Sequence, residues 1–210
     1  MATVVSPPEQ HVVIRVAWET YERILADHLD SSAPRFTYDQ GLLEIMTPST
    51  PHEETNRTIS LIVEIVAEEM GIDIRNVGSM TFRREDLQRG VEPDSCFYIQ
   101  HEAAVRHRAQ IDPETDPPPD LVIEIDVTSP SLNKLPIFAQ MGVPEVWRVK
   151  DDQVMILAVD AGTYIEVDRS LALPVLTADG LSRFVQESRT LPRTAWLRSL
   201  REWVQNQPRG

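Results

Sequence analysis

One cysteine in 210 residues, Cys96, excludes an internal disulfide and a thiolate zinc site. No apolar run approaches the roughly 18 residues a membrane helix needs, and no charged-then-apolar leader opens the chain. These absences predict a soluble protein in a reducing, intracellular setting, which reads as cytoplasmic. Signature loops are missing too. There is no GxGxxG after a strand, no GxxxxGK followed by Ser or Thr, no GxSxG and no HExxH, so dinucleotide, P-loop, serine-hydrolase and zincin chemistries lose their usual support. Positive charge is also short: 20 Lys plus Arg face 33 Asp plus Glu, a net charge of −13. A surface that acidic repels a polyanion, so nucleic-acid binding would need divalent metal at a carboxylate cluster or a local basic stripe.

What is present is an ordinary globular composition, 41% hydrophobic and 25% charged with 16 prolines. A chain of this size buries about 70% of its unfolded surface without staples. It contains no internal repeat or clear linker, and reads as one domain over residues 1–210, with a core from about 18 to 167 and a helical extension from about 181 to 207. After the proline-marked start Ser6-Pro7-Pro8, the spacing of Trp18, Tyr21, Leu25 and Leu29 predicts an amphipathic helix. Arg35–Tyr38 and Leu42–Met46 around Gly41 predict a hairpin, with Glu44 among apolar neighbours in its second strand. From His52 the stripe Ile59, Ile62, Val63, Val66 and Met70 predicts a long helix ending at Gly71. A strand is expected from Asp94 after Pro93, and a central one over Leu121–Val127. A short helix follows after Lys134, then three strands over 146–149, 154–159 and 164–167, and a helical tail striped by Trp196, Leu197, Leu200 and Trp203.

The unusual feature is acids on strands otherwise suited to burial. Glu124 and Asp126, two apart on one strand, share a face. If the Asp94 strand lies alongside, three carboxylates converge into the hard-oxygen setting that suits Mg²⁺ or Mn²⁺. The plainer reading has Asp94 capping a turn and Glu124 and Asp126 paired with arginines such as Arg83 or Arg148. His52 is either a polar residue at a helix start or an aid to proton transfer or phosphate binding. His101 and His107 read as solvated. Arg83-Arg84 and Arg106-His107-Arg108 are either phosphate contacts or a solvated face.

The strings Glu92-Pro93-Asp94, Pro118-Pro119-Asp120-Leu121-Val122-Ile123-Glu124, Thr128-Ser129-Pro130-Ser131, Lys134-Leu135 and Phe138 through Trp147, with its GVPEVW phrase, resemble the Uma-type restriction endonuclease family. This family is a branch of the PD-(D/E)XK nucleases, and the likeness runs from about Trp18 to Val167. It implies an α/β restriction-endonuclease-like core, a central mixed sheet flanked by helices, and magnesium-dependent hydrolysis of DNA. It also implies that Asp94 and Glu124 hold metal, with the Ile125 carbonyl a further candidate ligand. Asp126 stands where a lysine usually sits, and Lys134 resembles the relocated lysine of this branch. Glu44 and His52 resemble further polar positions of the site. A homodimer would let such an enzyme reach both strands of a duplex. Two alternatives stay open: a non-catalytic module on the same fold, and a metal-dependent phosphoesterase acting on a smaller anion.

Overall fold

The computed structural model describes residues 9–28, 33–127 and 132–208. In chain order the elements are β1 (Gln10–Arg15), α1 (Trp18–Asp27), β2 (Arg35–Asp39), β3 (Leu42–Thr47), α2 (Thr50–Met70), β4 (Arg75–Gly78) and β5 (Phe82–Arg84). A single 3₁₀ turn leads to β6 (Arg89–Val91), β7 (Ser95–Tyr98), α3 (Glu102–Val105), β8 (Leu121–Asp126), α4 (Leu135–Gln140), β9 (Glu145–Lys150), β10 (Gln153–Asp160), β11 (Thr163–Val167), α5 (Ala178–Thr190) and α6 (Arg193–Gln205). The architecture is α/β, with strands of mixed orientation flanked by helices. The expected positions of Leu29 and of the loop 128–131 lie outside the described residues.

The strands form two sheets. The first runs β1-β3-β2-β6-β5 and is antiparallel throughout. The second runs β11-β10-β9-β8-β7-β4, and its one parallel pair, β8 with β9, is joined through α4. The predicted hairpin is thus not an appendage. Its strands recruit β1, β5 and β6 into a sheet of their own, because its apolar residues need a cover and α1 supplies one. Tyr21 stacks on Tyr38 and tilts against Trp18, and Gly90 leaves room for the Tyr21 ring, which a Cβ there would strike.

The long helix α2 is capped as its sequence dictates. The Ser49 side chain accepts from the His52 amide, Pro51 fits the first turn, and Gly71 closes the C-terminus in the left-handed region that glycine adopts without strain. Its apolar stripe, Ile59, Ile62, Val63 and Val66, joins Ile123, Ile125, Trp147 and the tail residues Phe184, Trp196 and Leu200 in the main core. The tail is two helices rather than one, broken at Leu191-Pro192, and Trp196 is core, its indole donating to the Phe184 carbonyl. No helix among the described residues is long and apolar enough to cross a membrane.

Candidate active site

Val91 ends the first sheet and Ser95 begins the second, so the three-residue link Glu92-Pro93-Asp94 carries the chain from one to the other and sets Asp94 at their junction. The main chain of Asp94 is pinned from α2: Asn56 Nδ2 donates to its carbonyl at 3.0 Å, and Ser95 Oγ donates to Asn56 Oδ1 at 2.8 Å. Its carboxylate is buried. Oδ2 accepts the Ile125 amide at 2.6 Å, which ties Asp94 to β8, and Oδ1 meets the Arg35 guanidinium, which also reaches Glu53 at 2.7 Å.

His52 is fully buried behind this carboxylate, with Nε2 3.2 Å from Asp94 Oδ2 and Nδ1 3.5 Å from Glu53 Oε1. Burial alone would strip its proton, but Asp94 and Glu53 outweigh that and lift the ring to about 9, so it is an imidazolium at neutral pH. Burial likewise works against the Asp94 anion, yet His52 and Arg35 bring it down to about 2. His52 is therefore a buried counter-ion of Asp94 rather than a base awaiting a proton.

Glu124, on β8 one residue before the amide that Asp94 accepts, is also buried, and Lys134 Nζ donates to its Oε2 at 2.6 Å. Lys134, the residue before α4, thus reaches the strand that carries Glu124. Glu124 Oε1 is buried with no hydrogen-bond partner among the described residues. Burial, with some repulsion from Asp94, pushes the Glu124 carboxyl up to about 7, while Lys134 opposes it. Burial also acts against the Lys134 ammonium, but Glu124 and Asp94 hold it firmly charged.

Asp126 shares the face of Glu124, as expected, and is held by Arg148 of the neighbouring strand, whose Nε donates at 3.0 Å. The plainer reading of Asp126 thus describes its observed partner. Glu44, buried on β3, meets His11 Nδ1 of β1 at 2.8 Å. Glu44, His11, Glu124, Asp126, Lys134 and Arg148 line one cleft with about 40 Å³ of free space. That is room for an ion and a few waters. The structure brings Glu124, Ile125, Asp126, Lys134 and Glu44 to this cleft, while Asp94 and His52 do not line it and join it through the Ile125 amide that Asp94 accepts.

Two residues that the sequence reading passed over belong here, Arg35 and Glu53. Arg35 opens β2 beside Pro34 and looks like an ordinary strand-end arginine, and nothing in its spacing reports the long-range meeting with Asp94. Conversely, the basic clusters singled out earlier are engaged internally. Arg83 pairs with Glu22, Arg84 with Asp86, Arg106 with Glu102 and Asp73, and Arg108 with Asp116. His101 is not merely solvated, since its Nδ1 lies 2.6 Å from Asp120 Oδ1.

Among the described residues no three His, Cys, Asp or Glu side chains form a ready metal cage. The donor set nevertheless fits a hard divalent cation. Asp94 and Glu124 supply carboxylate oxygens, Glu124 Oε1 lacks a partner, and a carboxyl lifted to about 7 is one that added positive charge would ionise. Magnesium commonly keeps several waters, so two carboxylates with backbone and water oxygens are a sufficient shell.

A sequence profile for the Uma2 family, described as "Putative restriction endonuclease", matches residues 18–190. The crystal structure of "a putative nuclease belonging to DUF820" from Anabaena variabilis aligns with a TM-score of 0.48 and 15% sequence identity, covering 77% of this chain and 98% of that one. No curated protein matches the chain.

Proposed function

Since the chain belongs to the Uma2 family, described as "Putative restriction endonuclease", we propose that it is a divalent-metal-dependent endonuclease that hydrolyses DNA phosphodiester bonds, with Asp94, Glu124 and Lys134 at its centre. The observation that carries this reading is the junction at Glu124-Ile125. The Ile125 amide binds Asp94 at 2.6 Å, while the adjacent Glu124 takes Lys134 on one oxygen at 2.6 Å and keeps the other without a hydrogen bond among the described residues.

Asp94 and Glu124, with the Ile125 carbonyl, would hold Mg²⁺ or Mn²⁺. Such an ion, when bound, supplies positive charge against the phosphate oxygens and makes a bound water easier to deprotonate. The chain's own residues prepare the rest. Arg35, His52 and the Ile125 amide keep Asp94 ionised and fixed in rotamer, so no reorganisation is needed as charge builds up. Lys134, a mobile point charge, is placed to orient the attacking water or to neutralise the pentavalent phosphorane. Glu44 and Asp126 border the same cleft and add to its negative potential.

The test is nicking of supercoiled plasmid by the full chain with Mg²⁺, with Mn²⁺ and with EDTA. The expected result is cleavage only with metal, reduced at least about 100-fold in Asp94→Asn and in Glu124→Gln. Cleavage in EDTA, or unchanged cleavage in both variants, overturns the proposal. A second reading, a non-catalytic module, is favoured by one observation: Asp94, Glu124 and Asp126 each already have a cationic partner. Calorimetric titration with Mn²⁺ separates the two, because a silent titration supports the module and a saturable one the enzyme. As part of the first reading, the enzyme would be cytoplasmic and would act as a homodimer, which sedimentation at equilibrium would test.

A further inference from the structure

Asp94 lines a hollow apart from the cleft of Glu124 and Lys134, a groove of about 600 Å³ between α2, β4 and the start of α6. Two exposed arginines line it, Arg57 of α2 and Arg193, the first residue of α6. Neither makes an ion pair or hydrogen bond among the described residues, whereas the acids of the groove are engaged. Glu53 and Asp94 hold Arg35, and Glu64 accepts Asn76 Nδ2 at 2.8 Å. In a chain whose acids exceed its bases by 13, arginines are readily neutralised, and most that flank the candidate site are. Two idle guanidinium groups converging on one polar hollow beside Asp94 are therefore the local basic stripe that an acidic molecule needs in order to hold a polyanion.

We propose that this groove binds the phosphate backbone of a nucleic-acid strand running on from the bond cleaved at Asp94, with Arg57 and Arg193 as its phosphate contacts. The proposal rests on the nuclease reading for the direction of the strand. A volume of about 600 Å³ has room for only a short stretch of one strand, so the occupant proposed is a single strand.

The test measures binding of a short fluorescein-labelled DNA strand to the full chain by anisotropy, in EDTA so that nothing is cut, over a series of KCl concentrations. Arg57→Glu with Arg193→Glu should weaken binding more than tenfold. It should also flatten the dependence of log affinity on log salt by about 1.4, two phosphate contacts at about 0.7 each. Arg57→Lys with Arg193→Lys should retain most of the affinity. Arg23→Glu with Arg198→Glu, exposed arginines outside the groove, makes the same change in net charge and should leave affinity near wild type. The neutral pair Arg57→Gln with Arg193→Gln, checked by circular dichroism for folding, should fall between. Equal losses in the two reversal pairs, no loss in the groove pair, or no binding by wild type overturn the groove. Groove-dependent binding without cleavage under Mg²⁺ would support the groove while overturning the nuclease reading. Cleavage whose KM is untouched by the groove reversal would do the opposite.

Discussion

Only two of the 20 basic residues are lysines, Lys134 and Lys150, and one of them lies on Glu124. Arginine serves almost everywhere else, including the pairs on Asp94 and Asp126, so the chemistry of an ammonium is specific to this spot. A guanidinium is a rigid fork, whereas an ammonium on a flexible stem can leave one oxygen and meet another. Lys134→Arg should therefore keep the fold and its charge yet lower kcat by about 100-fold, close to the loss in Lys134→Met. Wild-type turnover in the arginine variant would show that charge alone suffices. His52 gives a test by pH. A histidine that holds its proton more tightly folded than unfolded stabilises fully below 6.5, and less as pH rises through about 9. Metal-free wild type should lose melting temperature between these values by an amount missing from His52→Asn, and parallel curves for the two would contradict the buried ion pair.

Among the elements, Glu145 at the start of β9 shows how a buried acid can be purely architectural. Its carboxylate accepts Trp147 Nε1 at 2.5 Å, Ser170 Oγ at 2.6 Å and the amides of Leu171 and Ala172, tying the segment before α5 to the second sheet. Glu145→Ala strands these donors and should cost roughly 3 kcal/mol in urea unfolding, without altering metal affinity. A loss below about 1 kcal/mol would mean that water replaces the carboxylate. Glu145 lies within the GVPEVW phrase, yet its spacing carries no sign of this role, because all its partners except Trp147 are 25 to 27 residues away. The same limit explains the other differences. The hairpin, α2 and β8 were legible because periodicity and caps are local. β1 was not, since its Val12, Val13 and Ile14 form a half-exposed edge that becomes a strand only by pairing with β3. The first turn of α5 was missed because Ala178-Asp179-Gly180 carries no apolar stripe, although Thr177 caps it. Of the candidate site, the acids were legible from their setting on apolar strands and Lys134 from the family resemblance, whereas Arg35 and Glu53 depend on long-range contacts between β2, α2 and Asp94.

For the molecule as a whole, acidity and internal pairing are one property. With most arginines near the candidate site bound to carboxylates, the outward field stays negative, and cleavage should slow with rising salt less than it does in basic nucleases. A cleavage rate that falls as steeply as the groove-dependent binding would contradict this. The lone thiol is equally withdrawn. Cys96 is buried on β7, donates to the Gly78 carbonyl at 3.2 Å and is pushed up to about 12 by burial. Ellman's reagent at pH 8 should leave native protein unlabelled and titrate one thiol in denaturant, and rapid labelling of native protein would show that the second sheet opens.

The link Glu92-Pro93-Asp94 has a mechanical consequence. The strands it joins, ending at Val91 and starting at Ser95, belong to separately hydrogen-bonded sheets. Asp94 is held from both, by Arg35 of the first and the Ile125 amide of the second, so rocking of one against the other pulls on its carboxylate. The sheets can act as jaws only if they move together, and heat that loosens either one should extinguish activity at the temperature where the first of them lets go, before the rest of the chain has melted.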